Sequence, residues 1–242
     1  WATSAGWFDY DRDGRLDLFV LRYMDWDFVR GSLACGATVR AYCHPDNFKG
    51  AAPVLFHQKP DGTFENVSRQ AGVGDESGKG LGIAFADFDN DGFKDLFITN
   101  GYPKDVTDHD FAFFKSNYSK LITKKELSDS IPQIRILNYA YRNLATTLRF
   151  ENMSKEWGLN ESSFSAGGAY ADLDNDGDLD YIVNNINDIA FVYQNNSEKF
   201  QPNNFLDIHF KGVDGNRFGI GAVARLYYDN GKIQVAENSP YR

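Results

Sequence analysis

Aspartates at fixed spacing are the residues of this chain best suited to chemistry. The pattern Asp-x-Asp-x-Asp-Gly-x-x-Asp occurs three times, as Asp9, Asp11, Asp13 and Asp17; as Asp87, Asp89, Asp91 and Asp95; and as Asp172, Asp174, Asp176 and Asp180. Four carboxylates this close together repel one another unless a cation lies among them, and a set of hard oxygen ligands favours Ca2+. The alternative is an acidic turn without an ion, which becomes harder to accept when the same pattern recurs three times.

The pattern begins like an EF-hand loop and ends differently. In an EF-hand, positions 1, 3 and 5 supply side-chain oxygens, a glycine follows at position 6, and a bidentate Glu stands at position 12. The twelfth residues here are Val20, Ile98 and Val183, within short apolar runs rich in β-branched and aromatic residues. Such runs are typical of strands. The sequence therefore predicts a Ca2+ loop joining two strands, with the Asp at position 9 closing the site.

The loops belong to a longer repeat. A stretch of small and apolar residues precedes each loop, at 3–8, 81–86 and 166–171. Two similar phrases follow the first two loops, at 55–58 with 64–68 and at 141–143 with 150–154, and a weaker copy lies at 191–195. Each cycle thus supplies about four short strands, which is typical of a β-propeller blade. We therefore expect an all-β fold of four-stranded antiparallel blades with Ca2+-binding loops and a short helical insertion.

These repeats resemble the FG-GAP/VCBS class, which is known from integrin α-subunit propellers and bacterial surface proteins. The segment 204–222 resembles the ASPIC/UnbV domain that follows the propeller in bacterial relatives of cartilage acidic protein. The resemblance implies propeller repeats over 1–200, with three recognisable copies in an incomplete ring, and the start of an ASPIC/UnbV-like β region over 201–242. It also implies about three Ca2+ ions, with backbone oxygens from Arg15, Phe93 and Asp178 as further ligands. It brings no catalytic residues.

Two insertions lengthen the repeats, and the first spans 22–53. It contains Cys35 and Cys43, the two cysteines of the chain. In a chain of extracellular type, two cysteines this close predict a local disulfide. A metal site that also uses His44 is an alternative, although its spacing fits no common zinc pattern, and two free thiols are another.

The second insertion spans 103–138 and has helical spacing in two short segments. Asp105 or Thr107 could cap the first helix, and Pro132 ends the run. Such an insertion can carry binding residues, cover a propeller face or pack on a neighbour. For its aromatic residues, Phe111, Phe113 and Phe114, core packing is favoured over a partner contact.

Composition fits a secreted acidic β protein. The formal charge is -9, and the twelve loop aspartates account for much of the acidity, so the charge says little about partners. The chain has no basic patch of the kind that nucleic-acid binding requires and no apolar run long enough to cross a membrane. It begins within a repeat, and three blades do not close a ring of four to eight, so we expect a piece of something longer.

The leading hypothesis is a Ca2+-stabilised binding or scaffold module, secreted or on a bacterial cell surface or outer membrane, that contacts protein or glycan partners. Enzyme activity is not expected, because bound Ca2+ would keep the loop carboxylates ionised and occupied. A polysaccharide lyase or hydrolase is one alternative, with Glu65 or Glu151 near Asp108 or Asp110 at glycosidase separation. A structural subunit of a cell-surface assembly is another. The four histidines are scattered, and His57 is expected to be structural.

Overall fold

The protein folds as a series of small antiparallel β-sheets with two short helices between them. The computed structural model describes residues 2–23, 25, 50–73, 80–101, 109–118, 121–130, 135–145, 149–200, 205–228, 231 and 233–238. The predictions for Cys35, Cys43, His44, Asp105, Thr107 and Asp108 lie outside the described residues. The all-β prediction is confirmed, and the sheets have the form of propeller blades, although the described residues do not form a closed ring.

Two four-stranded sheets share one topology, in which each strand pairs with the next along the chain. Sheet 1 consists of β1 (Ala2–Phe8), β2 (Asp17–Arg22), β3 (Val54–Gln58) and β4 (Phe64–Asn66). Sheet 2 consists of β5 (Gly80–Ala86), β6 (Asp95–Asn100), β7 (Tyr139–Asn143) and β8 (Phe150–Asn152). In both sheets the first hairpin encloses an aspartate loop, as its registers Phe8↔Asp17 and Ala86↔Asp95 show. The large insertions fall between the second and third strands.

Sheet 3 has three strands among the described residues. They are β9 (Ser165–Ala171), β10 (Asp180–Asn185) and β11 (Phe191–Tyr193). After β11 the chain forms a 3-10 turn over Ser197–Lys199, and residues 201–204, which follow, lie outside the described residues.

Two hydrophobic cores lie between successive sheets. Phe8, Phe19 and Leu55 of sheet 1 pack with Leu96 and Phe150 of sheet 2, and all five are almost completely buried. A second core joins sheets 2 and 3; its buried members include Phe88, Phe97, Leu159, Tyr181 and Val183. Burial of large aromatic and aliphatic side chains contributes on the order of 1.5–3 kcal/mol each. The sheets are therefore held face to face by continuous packing.

The small residues of the first strands allow the sheets to approach closely. A Cβ added to Gly6 of β1 would lie 2.3 Å from the ring of Phe85 in β5. A Cβ added to Gly82 of β5 would lie 3.2 Å from the Cα of Gly167 in β9. The small stretch that precedes each loop in the sequence thus permits close packing of one sheet on the next.

The second insertion forms the predicted pair of helices, α1 (His109–Tyr118) and α2 (Lys124–Asp129). Thr123 and Glu126 cap α2 reciprocally: the Thr123 N–H donates to the Glu126 carboxylate at 2.8 Å, and the Glu126 N–H donates to the Thr123 hydroxyl at 3.2 Å. Core packing was the wrong prediction for Phe113, which is 70% exposed, whereas Phe114 stacks on the ring of Tyr118. No helix among the described residues is long and apolar enough to cross a membrane.

The tail contains a hairpin formed by β12 (Val223–Tyr227) and β13 (Ile233–Glu237). This hairpin lies against the aspartate loops. The Arg12 guanidinium of the first loop lies over the rings of Phe93 and Tyr228, at 4.8 and 4.2 Å from their centroids. One cation thus contacts the second loop and the tail together.

Candidate metal centre

Three equivalent loops connect the first two strands of sheets 1, 2 and 3. We call them loop 1 (residues 9–17), loop 2 (residues 87–95) and loop 3 (residues 172–180), and we number their positions from the first Asp. Position 6 is a glycine in each, with φ of 85°, 89° and 95° at Gly14, Gly92 and Gly177. Position 4 also has positive φ, at Arg12, Asn90 and Asn175. Glycine and asparagine adopt this conformation readily, which leaves Arg12 as the unusual residue.

Backbone hydrogen bonds to the carboxylates at positions 1 and 5 fix the shape of each loop. The glycine N–H donates to the position-1 carboxylate at 3.0 Å in loop 1, 2.9 Å in loop 2 and 3.1 Å in loop 3. The N–H of position 7 donates to the position-5 carboxylate at 2.8, 2.8 and 3.2 Å in the same order. These contacts turn the carboxylates inward. Residues Arg15, Phe93 and Asp178 occupy position 7, where their backbone oxygens remain predicted ligands.

The position-9 carboxylate joins the loop to the third strand of its sheet. In sheet 2 the Asp95 carboxylate accepts the Phe88 N–H at 3.0 Å on one oxygen and the Asn143 N–H at 2.8 Å on the other. Asp17 and Asp180 make the equivalent pair of bonds in their sheets. All three are buried. Sequence reasoning assigned them to metal binding alone, whereas the structure also gives both of their oxygens backbone donors.

Carboxylate oxygens of each loop converge in a way that suits Ca2+. In each loop, three carboxylates contribute oxygens that all lie within 4.8 Å of one another: Asp9, Asp11 and Asp13; Asp87, Asp89 and Asp95; and Asp172, Asp174 and Asp176. Two ligands of one Ca2+ ion lie at most about 5 Å apart, because each Ca–O bond is about 2.3–2.6 Å. The Oδ1 atoms of Asp11, Asp87 and Asp172 are buried without a hydrogen-bond partner. The donor set therefore fits Ca2+, and buried acceptors remain to coordinate it.

The electrostatics of the loops also favour a cation. Burial, together with the neighbouring carboxylates, raises the pKa of Asp9 to about 6 and that of Asp87 to about 7. Burial likewise raises the pKa of Asp17 to about 6 and that of Asp95 well above its ordinary value. These shifts reflect the free-energy cost of keeping several negative charges together in a desolvated place. A bound divalent cation would remove that cost and keep the carboxylates ionised.

Sequence reasoning missed the side chain that approaches the position-3 carboxylate from the third strand. Arg142 Nε lies 2.6 Å from Asp89 Oδ2 in sheet 2, and Gln194 Nε2 donates to Asp174 Oδ2 at 2.7 Å in sheet 3. In sheet 1 the equivalent residue is His57, with Nδ1 3.6 Å from Asp11 and 3.0 Å from Asp17. The three partners occupy equivalent positions in their sheets but are three different residue types, so the sequence repeat does not reveal them. The structural role predicted for His57 agrees with these contacts.

A second missed feature joins one sheet to the next. The Asn143 side chain in sheet 2 donates to the Tyr10 carbonyl of loop 1 at 2.8 Å. The Asn195 side chain of sheet 3 donates to the Phe88 carbonyl of loop 2 at 2.6 Å. Tyr10 and Phe88 both occupy position 2, and their side chains are buried in the two cores. We call this repeated contact the asparagine joint. Its partners lie far apart in sequence, so spacing does not reveal it.

The comparisons with known proteins agree with this repeated architecture. Residues 45–98 match the model of the FG-GAP-like repeat family. Among the described residues, the matched segment covers β3 and β4 of sheet 1 and then β5, loop 2 and the first part of β6 in sheet 2, so the match spans two neighbouring sheets. The repeat-propeller resemblance drawn from the sequence is confirmed at this level.

The chain is also similar to cartilage acidic protein 1 from three animals. The human protein is 29% identical over 207 residues, which cover 72% of this chain and 30% of the relative. The mouse protein is 29% identical over 206 residues, covering 72% and 31%, and the Xenopus tropicalis protein 29% over 181 residues, covering 63% and 27%. The chain thus spans less than a third of the length of these relatives.

The carboxylates considered for glycosidase chemistry have surface positions. Glu65 pairs with Lys59 at 3.2 Å, and Glu151 is exposed on β8. Their suggested partners, Asp108 and the side chain of Asp110, lie outside the described part of the structure. The described geometry therefore brings no support to that alternative.

Proposed function

We propose that the chain is a Ca2+-stabilised, extracellular or cell-surface propeller module that serves as a binding scaffold for protein or glycan partners. The observation that carries this proposal is the common geometry of the three loops. Each gathers three carboxylate oxygens within 4.8 Å and holds them with the same backbone hydrogen bonds. Such an arrangement is costly without a cation and favourable with one.

Ca2+ would act on stability in this proposal. An unfolded chain offers no assembled loop, so ion binding favours the folded state. A site that binds only the folded state adds about 2.7 kcal/mol when the free ion is present at a hundred times its dissociation constant. The position-9 aspartates tie each loop to its third strand, and the asparagine joints tie loops 1 and 2 to the following sheet. An occupied loop 1 or loop 2 therefore stabilises its own sheet and the following sheet.

The three loops are expected to bind Ca2+ with different affinity. Loop 2 has a permanent positive charge beside it, because Arg142 contacts Asp89 and lies 3.7 Å from Asp91. Loop 1 has the Arg15–Asp13 ion pair and the imidazole ring of His57 beside it. In loop 3 the equivalent third-strand contact comes from the neutral amide of Gln194. Since a nearby cation opposes a second cation, loop 3 is expected to bind most tightly.

The scaffold role is supported by rigid sheets that carry exposed insertions. The helical segment α1 presents Phe113 to solvent, and Leu121 between the helices is 79% exposed. Exposed apolar side chains on an insertion that projects from a rigid scaffold suit partner binding. The proposed role is non-enzymatic, because ion-bound carboxylates are poor acids and bases. The similarity to cartilage acidic protein 1 supports the module, and the partners of this chain form part of the proposal.

The test combines metal analysis with thermal unfolding of the purified chain, before and after chelation and after Ca2+ is restored. We expect about three loop ions per chain and a melting temperature that falls on chelation and recovers with Ca2+. Asp89→Ala should remove the ion of loop 2 and leave loops 1 and 3 occupied. Asp214→Ala, an exposed aspartate of the tail, is the matched control. A chain that binds no Ca2+, or an Asp89→Ala variant with an unchanged ion count, would refute the proposal.

A further inference from the structure

A second cluster of carboxylates lies beside loop 3. Oxygens of Asp176, Asp178 and Glu198 all lie within 4.8 Å of one another. Asp176 is position 5 of the loop, and Asp178 is position 7. Glu198 comes from the 3-10 turn Ser197–Lys199, which follows β11. The turn thus brings a carboxylate to the loop from outside the nine-residue pattern.

Asp178 provides the independent sign that this cluster has a ligand. Its side chain is completely buried, with 0% exposure, and its Oδ1 atom has no hydrogen-bond partner. The Oδ2 atom accepts the Ser197 hydroxyl at 3.1 Å and the Glu198 N–H at 3.4 Å. A buried carboxylate oxygen without a donor is costly, and its nearest carboxylate neighbours would repel it. A cation between Asp178 and Glu198 would satisfy that oxygen.

The cluster is specific to loop 3. Position 7 is Arg15 in loop 1 and Phe93 in loop 2, and neither side chain offers an oxygen. The charge that faces the cluster is Lys199, whose Nζ lies 3.6 Å from Glu198, and both side chains are partly or largely exposed. An exposed lysine contributes little to holding a buried carboxylate, so it does not replace a cation at Asp178.

We propose that Asp178 and Glu198, together with Asp176, form a second divalent-cation site next to the loop 3 ion, with Asp176 shared between the two. The all-oxygen donor set, which the Ser197 hydroxyl and water can extend, selects Ca2+ over softer metals. This inference rests on the calcium role proposed above, because Asp176 belongs to both sites. The second ion would fasten the 3-10 turn to loop 3.

The test counts Ca2+ ions by native mass spectrometry and titration calorimetry on the whole chain, comparing the wild type with Glu198→Gln and Glu198→Lys. Glu198 is on the surface, so both variants should fold. Glu151→Gln, an exposed glutamate of β8, is the matched control. We expect four ions for the wild type and the control and three for Glu198→Lys, with the fourth bound at least about tenfold more weakly in Glu198→Gln. Asp178→Asn should lose the same ion.

The outcomes separate this inference from the proposal on which it rests. Three ions in the wild type and three in Glu198→Lys would overturn the second site and leave the loop sites intact. Three in the wild type and two in Glu198→Lys would make Glu198 a ligand of the loop 3 ion, which also overturns a separate site. No ions in the wild type would overturn both proposals.

Discussion

Replacing Asn143 by alanine tests the joint between sheets 1 and 2. Asn143 is completely buried, and its amide spans two sheets. Its Nδ2 group donates to the Tyr10 carbonyl at 2.8 Å and to the Lys94 carbonyl at 3.4 Å, and its Oδ1 accepts the Ala145 N–H at 3.1 Å. Alanine removes all three contacts and leaves the backbone bond from the Asn143 N–H to Asp95 in place.

The expected loss follows from these contacts. One short and two longer hydrogen bonds disappear, each with a net value of about 1 kcal/mol, and the carbonyl of buried Tyr10 loses this donor. The free energy of unfolding should therefore fall by about 2–4 kcal/mol, which in a domain of this size lowers the melting temperature by roughly 4–16 °C. Asn143→Asp should cost more, because a carboxylate would face two carbonyl oxygens with no proton to donate.

Urea unfolding in saturating Ca2+ measures this loss. Asn160→Ala is the control, since Asn160 is exposed and its amide makes a single long contact with the Lys155 carbonyl. That change should stay within about 0.5 kcal/mol of the wild type. If Asn143→Ala were as mild as Asn160→Ala, the joint would contribute no stability and the reasoning would be refuted.

Two further predictions concern the loops. Arg142→Gln gives loop 2 the neutral partner that loop 3 has, and it should tighten Ca2+ binding at loop 2 about fivefold in calorimetric titration, equivalent to about 1 kcal/mol for a partly exposed ion pair. Arg135→Gln, which removes a surface ion pair with Asp188, is the control. Weaker Ca2+ binding by Arg142→Gln would contradict the charge argument. The second prediction concerns pH. The folded-state pKa is raised to about 6 for Asp9 and to about 7 for Asp87, above the unfolded value near 3.9. The folded metal-free chain therefore takes up protons at a higher pH than the unfolded chain does. Metal-stripped protein should therefore gain stability as pH falls from about 7.5 to 5, whereas the Ca2+-bound protein should lose it because protons compete with the ion. Thermal unfolding across that range checks both signs, and parallel curves for the two forms would contradict the assignment.

Local features of the fold could be predicted from the sequence. The loop carboxylates lie within nine residues of one another, so their convergence is a property of a short segment with a glycine at a fixed place. The strands that follow, such as Asp95–Asn100, could be predicted because their β-branched and aromatic residues are bounded by a turn. The two short helices of the second insertion were likewise indicated by the spacing of neighbouring residues.

Features that depend on distant contacts could not be predicted. Asn143 and Tyr10 meet because one sheet packs on another, and no spacing rule relates them. The partners of the position-3 carboxylates could not be predicted because the equivalent position holds a different residue type in each sheet. Phe113 was assigned to the core from its apolar character, and the structure exposes it because α1 stands on an insertion. In each case tertiary packing, which periodicity does not record, decided the outcome.

The offset between the sequence repeat and the sheets determines where the chain can be divided. The matched repeat ends at residue 98, inside β6, while the pairing that completes sheet 2 continues to β8 at Phe150–Asn152. A cut at the repeat boundary would strip β6 of its partner β7 and expose two ladders of backbone hydrogen-bonding groups. A cut between Asn152 and Ser165 would instead separate whole sheets, at the cost of one core and one asparagine joint. The unit that the sequence repeats and the unit that folds are therefore different pieces of the same chain.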